Sequence, residues 1–418
     1  MVVANAQHVK HVLGNAALFD KDDFFQTLFP MMGNGVLCSN GKEHAFQRRL
    51  LAKAFSPDHI SKFSPLMNNH AKRLIEVFKK EIGDKEEGEN VQVQLHLSNT
   101  VFDIFCDSAL GHHYDALTSQ SEFVSIMKRQ IDTFANLKTQ ALLVIFRFLM
   151  LGKLVDKFMF GDKNRDRLKL EEILDETIRK KKESLAADED SERHNDLLSM
   201  MIKARDDDTN AGFTDKLLRE NVFTLMVGSF ETTGTAIPWI LYSLATNIDK
   251  QDLARQEIIG LIRDGDDIDA DGISKLSYTT ACIKETLRLH TVAPMTDRVA
   301  KQDINIGGHN IKAGSPILVS ILGVHHQKDV YKDPEEYVPE RFLENTKMPL
   351  GSFVAFGHGP YNCIGRYFAM MEIKIILFHI LKNFHISVDS EFLKYKRNSL
   401  ITAVTDRPIT LRLTPILE

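Results

Sequence analysis

Cysteine is scarce in this chain of 418 residues: there are four, Cys38, Cys106, Cys282 and Cys363, and no two form a CxxC pair. Their number and scatter exclude a disulfide framework and a cysteine-clustered metal site, and fit a reducing compartment. Long apolar runs are also missing. The nearest, 141–151, has eleven residues and is broken by Arg147, short of the roughly 18–20 that a membrane span requires. Residues 1–20 alternate apolar with polar side chains, so nothing there reads as a targeting segment. Nor is there an excess of positive charge: 52 Lys+Arg face 57 Asp+Glu, a net of −5. Nucleic acid is therefore not an expected partner.

What is present can fold. With 43% hydrophobic and 26% charged residues, a packed core is within reach and disorder is not the default. The runs Leu217 to Ala245 and Ile273 to His290 repeat apolar residues at helical period. Two polar stretches, 184–196 and 203–215, read as solvated connections. From 304 to 321 the pattern INIGGHNIKAGSPILVSI alternates around glycine turns, which predicts short strands. Helix returns over 363–384 and strand at the end. The expectation is a mainly α fold with a small β portion, as a single domain over 1–418.

The chemistry concentrates at FGHGPYNCIGRYFAMMEIKIIL, residues 356–377. Gly357, Gly359 and Gly365 allow tight turns and close backbone approach around one Cys363. A helix begins at once, so its N–H groups and positive dipole end should favour the thiolate, the form that binds metal. A lone cysteine is more often a structural core residue; the glycines argue otherwise.

The pattern FxxGxxxCxG followed by A-x-x-E (Ala369, Glu372) resembles the haem-binding loop of the cytochrome P450 family. Further motifs resemble that family in the same order along the chain. KETLRLH supplies E-x-x-R as Glu285 and Arg288, and PERF supplies Arg341; in the family these three join in a buried ionic cluster that scaffolds the haem loop. GSFETT at 228–233 resembles the oxygen-binding helix. GKEHAFQRRLL resembles the W-x-x-x-R helix, with His44 in the tryptophan place and Arg48 matching the arginine. The resemblance implies a cytochrome P450 fold holding haem b, with Cys363 as axial thiolate ligand of the iron. Phe356, Gly357, Gly359, Tyr361 and Gly365 would frame the cofactor. His44, Arg48 and Arg298 would neutralise its propionates by charge-assisted hydrogen bonds. Thr232 would hydrogen-bond the bound oxygen, and Glu231 would help relay protons to it.

The sequence departs from the family at several places. Tyr361 stands where a His or Arg usually meets a propionate, Ala355 replaces a proline, and Ser229 replaces a glycine. Gly228 stands where one fatty-acid-hydroxylating branch carries an acid that esterifies haem, so non-covalent haem is expected. The opening VVANAQHVKHVLGN resembles a strand and helix well inside the fold. This implies that the membrane anchor, hinge, first helix and first strand of a eukaryotic-type member are absent from this sequence.

The resemblance further implies a monooxygenase that inserts one atom of O2 into a lipophilic substrate (fatty acid, sterol, terpenoid or xenobiotic). Electrons would come from NADPH through a flavoprotein reductase docked on the cysteine face, where Arg366 and Lys374 are candidate contacts. Substrate contacts are expected from Phe223, Leu225, Val227, Val292 to Met295 and the loop at 24–38. The segment 142–160 is apolar with interspersed cations and reads as an interfacial helix giving peripheral membrane contact. A monomer at the cytoplasmic face of the endoplasmic reticulum is expected, or a soluble cytoplasmic chain. Two rival readings share the fold: an isomerase or peroxide-driven enzyme, and a non-catalytic haem-binding remnant.

Overall fold

The computed structural model describes residues 1–23, 26, 30–119, 122–135, 161–187, 195–262, 267–343, 348–396 and 402–416. The expected interfacial segment 142–160 lies outside the described residues. The first half of the chain is helical: α1 (Ala6–Gly14), α2 (Gly41–Ala54), α3 (Pro57–Ser61), α4 (Ser64–Ile82), α5 (Val93–Leu110), α6 (Glu122–Ala135), α7 (Gly161–Ala187) and α8 (Leu197–Lys203). The longest helix, α9 (Asp215–Ala245), is followed by α10 (Ile248–Ile259), α11 (Ala270–Lys275), α12 (Ser277–Leu289), α13 (Ile321–His325) and α14 (Arg366–Asn383). No helix among the described residues is long and apolar enough to cross a membrane.

A four-stranded sheet joins distant parts of the chain. Its order is β1 (Val2–Val3), β7 (Pro316–Ser320), β4 (Met295–Ala300) and β2 (Phe19–Asp20). β1 runs parallel to β7 with Val2 opposite Leu318, and the other pairs are antiparallel. β3 (Glu89–Val91), β9 (Leu411–Pro415) and β8 (Phe384–Ser387) form a second sheet, and β5 (Ile304–Ile306) with β6 (His309–Ile311) a hairpin. Gly307 and Gly308 turn that hairpin at φ +58 and +87, where L side chains are strained. These strands match the alternating pattern at 304–321.

Two apolar cores result. The larger lies among the helices around α5, α9, α12 and α14; the smaller packs α1 against the first sheet through Val9, Val12, Leu13, Phe19, Ile317 and Val319. α9 starts where Thr214 accepts the Leu217 N–H (3.2 Å), as an N-cap should. It crosses α5 closely: a Cβ on Gly234 would come 3.1 Å from Ser98 Oγ.

Three sequence expectations are corrected here. The polar stretch 184–196 is helical through Ala187, and its Asp196 is buried, capping α8 at Ser199 N and accepting Lys181 Nζ at 2.8 Å. In 203–215, Asp206 is buried because Arg49 grips it through two N–H groups (3.0 and 2.7 Å). Third, the run Ile273 to His290 breaks at Leu276. There Glu257, from α10, accepts the N–H groups of Tyr278 (2.7 Å) and Thr279 (2.8 Å) and so starts a new helix.

Candidate active site

The cysteine loop spans both cores: Val354 packs into the sheet core, while Phe356 and Ile364 pack against the helical one. Gly357 N–H donates to Val354 O (2.9 Å) and Cys363 N–H to Phe356 O (2.8 Å), folding the loop back on itself. Gly357 and Gly359 both sit at φ +72, in the left-handed region. At Gly359 there is a second demand, because a Cβ would lie 2.4 Å from Leu13 O at the end of α1. The loop is thus pinned to the smaller core by a glycine nothing else could replace.

Cys363 is exposed and unbridged. Helix α14 starts only at Arg366, three residues later, with Gly365 as its N-cap. Crowding by protein atoms pushes the Cys363 thiol up, while the Gly365 N–H, then Arg48 and Arg366, pull it down. The helix end does act on the sulfur as expected. It does not outweigh desolvation, so the protein alone leaves the thiol above its ordinary value. Glu372, in the first turns of α14, is fully buried with neither carboxylate oxygen partnered, and burial raises its pKa well above the ordinary carboxylate value.

Around Tyr361 the structure gathers cations. Arg48 donates to Asn362 O (2.8 Å) and Asn362 Oδ1 (2.6 Å). The Arg298 guanidinium lies 5.3 Å and Lys21 Nζ 4.7 Å from the Tyr361 ring centroid. His44 meets the same ring edge-to-face at 4.5 Å. Arg298 is 4% exposed, and its Nε is buried with no partner. Burial, then Arg298, bring Lys21 down to about 7. Asp297 opposes this charge, leaving three cations against one carboxylate. A site that confines positive charge at such cost is built for an anion, and the two propionates of haem b fit it. Burial, then Lys21, Arg48 and Arg298, lower His44 to about 4, and an anion bound among these cations would oppose that shift. Lys21 was not foreseen: it lies in no motif, and only the fold brings it to position 361.

The structure brings Glu285, Arg288 and Arg341 together. Arg288 donates to both Glu285 oxygens at 2.8 Å, with both side chains fully buried, and Arg341 Nε reaches Glu285 Oε1 at 3.3 Å. Arg288 Nη1 also donates to His325 O (2.9 Å) and Pro334 O (2.7 Å). His325, missed in the sequence, carries the cluster to the cysteine loop: its Nε2 accepts the Val354 N–H (3.0 Å), and its Nδ1 meets Thr291 Oγ1 at 2.8 Å.

On α9 the helix is continuous through Glu231, Thr232, Thr233 and Gly234. Thr232 Oγ1 donates to Gly228 O (2.5 Å), absorbing its own polarity within the helix. Thr232 and Gly228 are exposed, and a Cβ on Gly228 would meet nothing within 4 Å. Glu231 Oε1 accepts the Thr402 hydroxyl (2.6 Å). Ser229 buries its hydroxyl without a partner. Phe223 and Val227, expected at the substrate, are closed into the helical core, while Leu225 and Val292 are half-buried at its border. Lys374 donates inward to Ile273 O (3.1 Å) and so is tied down rather than presented to a docking partner; Arg366 is exposed.

A mainly helical protein that sets a glycine-framed cysteine before a helix, beside a buried anion site, has the plan of a haem-thiolate monooxygenase. The family model for cytochrome P450 matches residues 1–411, and the chain belongs to that family. Taurochenodeoxycholic 6 alpha-hydroxylase of Sus scrofa is 30% identical over 376 residues, covering 87% of this chain and 72% of the relative. Leukotriene-B4 omega-hydroxylase 3 of Mus musculus is 30% identical over 409 residues, covering 94% and 76%. Cytochrome P450 4F1 of Rattus norvegicus is 32% identical over 409 residues, with the same coverage. Members of the family bind haem b through an axial cysteine thiolate, and this chain is an oxidoreductase of the monooxygenase class acting on lipophilic substrates with O2 and a redox partner.

Proposed function

We propose that the chain hydroxylates a lipid bearing an acidic group, with two electrons from NADPH delivered by a flavoprotein reductase. One O2, the substrate, NADPH and a proton give the alcohol, water and NADP+. The observation that carries the site assignment is the meeting, at one loop, of accessible Cys363 with buried cations in excess, which suit the iron and the propionates of haem b. The names of the relatives support the substrate class, since leukotriene B4 and taurochenodeoxycholic acid are both acidic lipids.

Haem b supplies the oxygen activation; the residues of the chain bind, orient and exclude water. Cys363 would hold the iron through its thiolate, with the Gly365 N–H on its sulfur. Arg48, Arg298 and Lys21 would hold the propionates around the Tyr361 and His44 rings. Phe356, Gly357 and Gly359 shape the loop. Gly228 offers no carboxylate, so haem would be held without an ester bond there. With its proton engaged on Gly228 O, Thr232 Oγ1 presents lone pairs and so accepts a hydrogen bond from a protonated ligand or water. Glu231, positioned by Thr402, is the acid that moves protons towards it. Glu285, Arg288 and Arg341 fix the loop through His325.

Reconstitution with a flavoprotein reductase tests this. Leukotriene B4 should yield a hydroxylated product in step with NADPH consumption. Thr232→Ala should keep haem and NADPH consumption while product falls and hydrogen peroxide rises. Undiminished product would remove Thr232 from its role, and turnover confined to neutral sterols would overturn the substrate class.

A further inference from the structure

Away from the cysteine loop, three side chains converge from two parts of the chain. His70 lies on α4, Asp107 in the last turn of α5, and His113 just beyond that helix. His70 Nε2 and His113 Nδ1 both meet the same oxygen, Asp107 Oδ2, at 2.6 and 3.0 Å, and the three atoms lie within 4.8 Å of one another. We infer that His70, Asp107 and His113 form a binding site for a zinc-class divalent cation, which staples α4 to the end of α5 and to the loop that follows.

The donor set is what such an ion takes: two imidazole nitrogens and one carboxylate, with solvent completing a tetrahedron. Zinc bonds of about 2.0–2.2 Å separate tetrahedral ligands by roughly 3.3–3.5 Å, so the two contacts need open only slightly. The frame around the three ligands is rigid. Gly111, at φ +63, ends α5 and reverses the chain, its N–H closing on Asp107 O. Four residues before Asp107, buried Asp103 accepts the N–H groups of Ala116 (2.7 Å) and Leu117 (3.0 Å), which fixes the far end of the loop. His113 is therefore held on both sides. His70 and Asp107 are largely buried, while the His113 side chain is 49% exposed, leaving a path for an ion to enter.

One neighbour competes. Arg73 Nη1 lies 3.1 Å from His113 Nε2. A guanidinium can only donate, so without metal His113 carries its proton on Nδ1, which donates to Asp107. Cation binding moves that proton to Nε2 and displaces Arg73, which keeps its ion pair with Asp115. The site is thus closed by its own hydrogen bonds until an ion arrives.

The test uses the untagged, haem-loaded chain, stripped with chelator and dialysed against Zn2+, with bound zinc measured by mass spectrometry. One zinc per chain is expected, together with a raised unfolding temperature. His113→Gln, at a half-exposed position, and the isosteric Asp107→Asn should weaken binding by about tenfold or more, with circular dichroism and the haem band unchanged. Absence of stoichiometric zinc in the parent chain, or equal affinity in a folded His113→Gln variant, would overturn the site.

Discussion

Tyr361 carries no charge where the family usually places a propionate partner, and the structure answers with cations from three segments: Lys21, Arg48 and Arg298. Lys21 stands at about 7, well below the ordinary lysine value, because burial and Arg298 disfavour its charge. An anion bound there would restore that charge. Lys21→Met should therefore speed haem loss to apomyoglobin by about tenfold or more, the scale of one charge-assisted hydrogen bond, and Lys21→Arg should restore it; an unchanged rate for Lys21→Met would remove the residue from the cofactor site. Single residues of this kind were the least legible. Glu285, Arg288 and Cys363 sit in patterns whose spacing carries meaning. Lys21 and His325 act through partners that are close only in the fold, and nothing local distinguishes them from any other lysine or histidine.

Among the elements, α12 and α13 do most to aim the cysteine loop. The fully buried Glu285–Arg288 pair hands its hydrogen bonds to His325, which holds Val354. Burial, then the charges of Arg288 and His326, lower His325 to about 3, so it is neutral in the folded protein. In the unfolded chain it titrates near 6.5. The unfolded state therefore binds the extra proton, and this contribution to stability is complete above about pH 6.5 and lost as pH falls towards 3, by about 1.4 kcal/mol per pH unit. Urea unfolding between pH 6 and 4 should show stability in the parent chain changing with pH by about that slope relative to His325→Gln; parallel pH dependences would contradict the assignment. Helix and strand positions were readable from period wherever apolar spacing was strong, as in α9 and β5–β7. The errors fell where tertiary partners overrode composition: Arg49 buries Asp206, and Glu257 cuts one helical run into α11 and α12.

At the scale of the whole molecule, the sheet core and the helical core meet at residues 354–364, so the cysteine loop is held from both sides. The family and its fold were legible because five motifs recur in order over most of the chain, and 1–411 match the family. The space above Gly228 was not legible, since which apolar side chains close into the core and which border a ligand is decided by packing alone. The central claim is that Cys363 supplies the thiolate to a haem held by this loop. The direct measurement is the absorption spectrum of the dithionite-reduced protein under carbon monoxide, beside Cys363→Ser. A red-shifted Soret band in the parent chain, lost in the variant, is the predicted result. Haem showing only the band of a neutral axial ligand, or a red-shifted band that survives in Cys363→Ser, would contradict it.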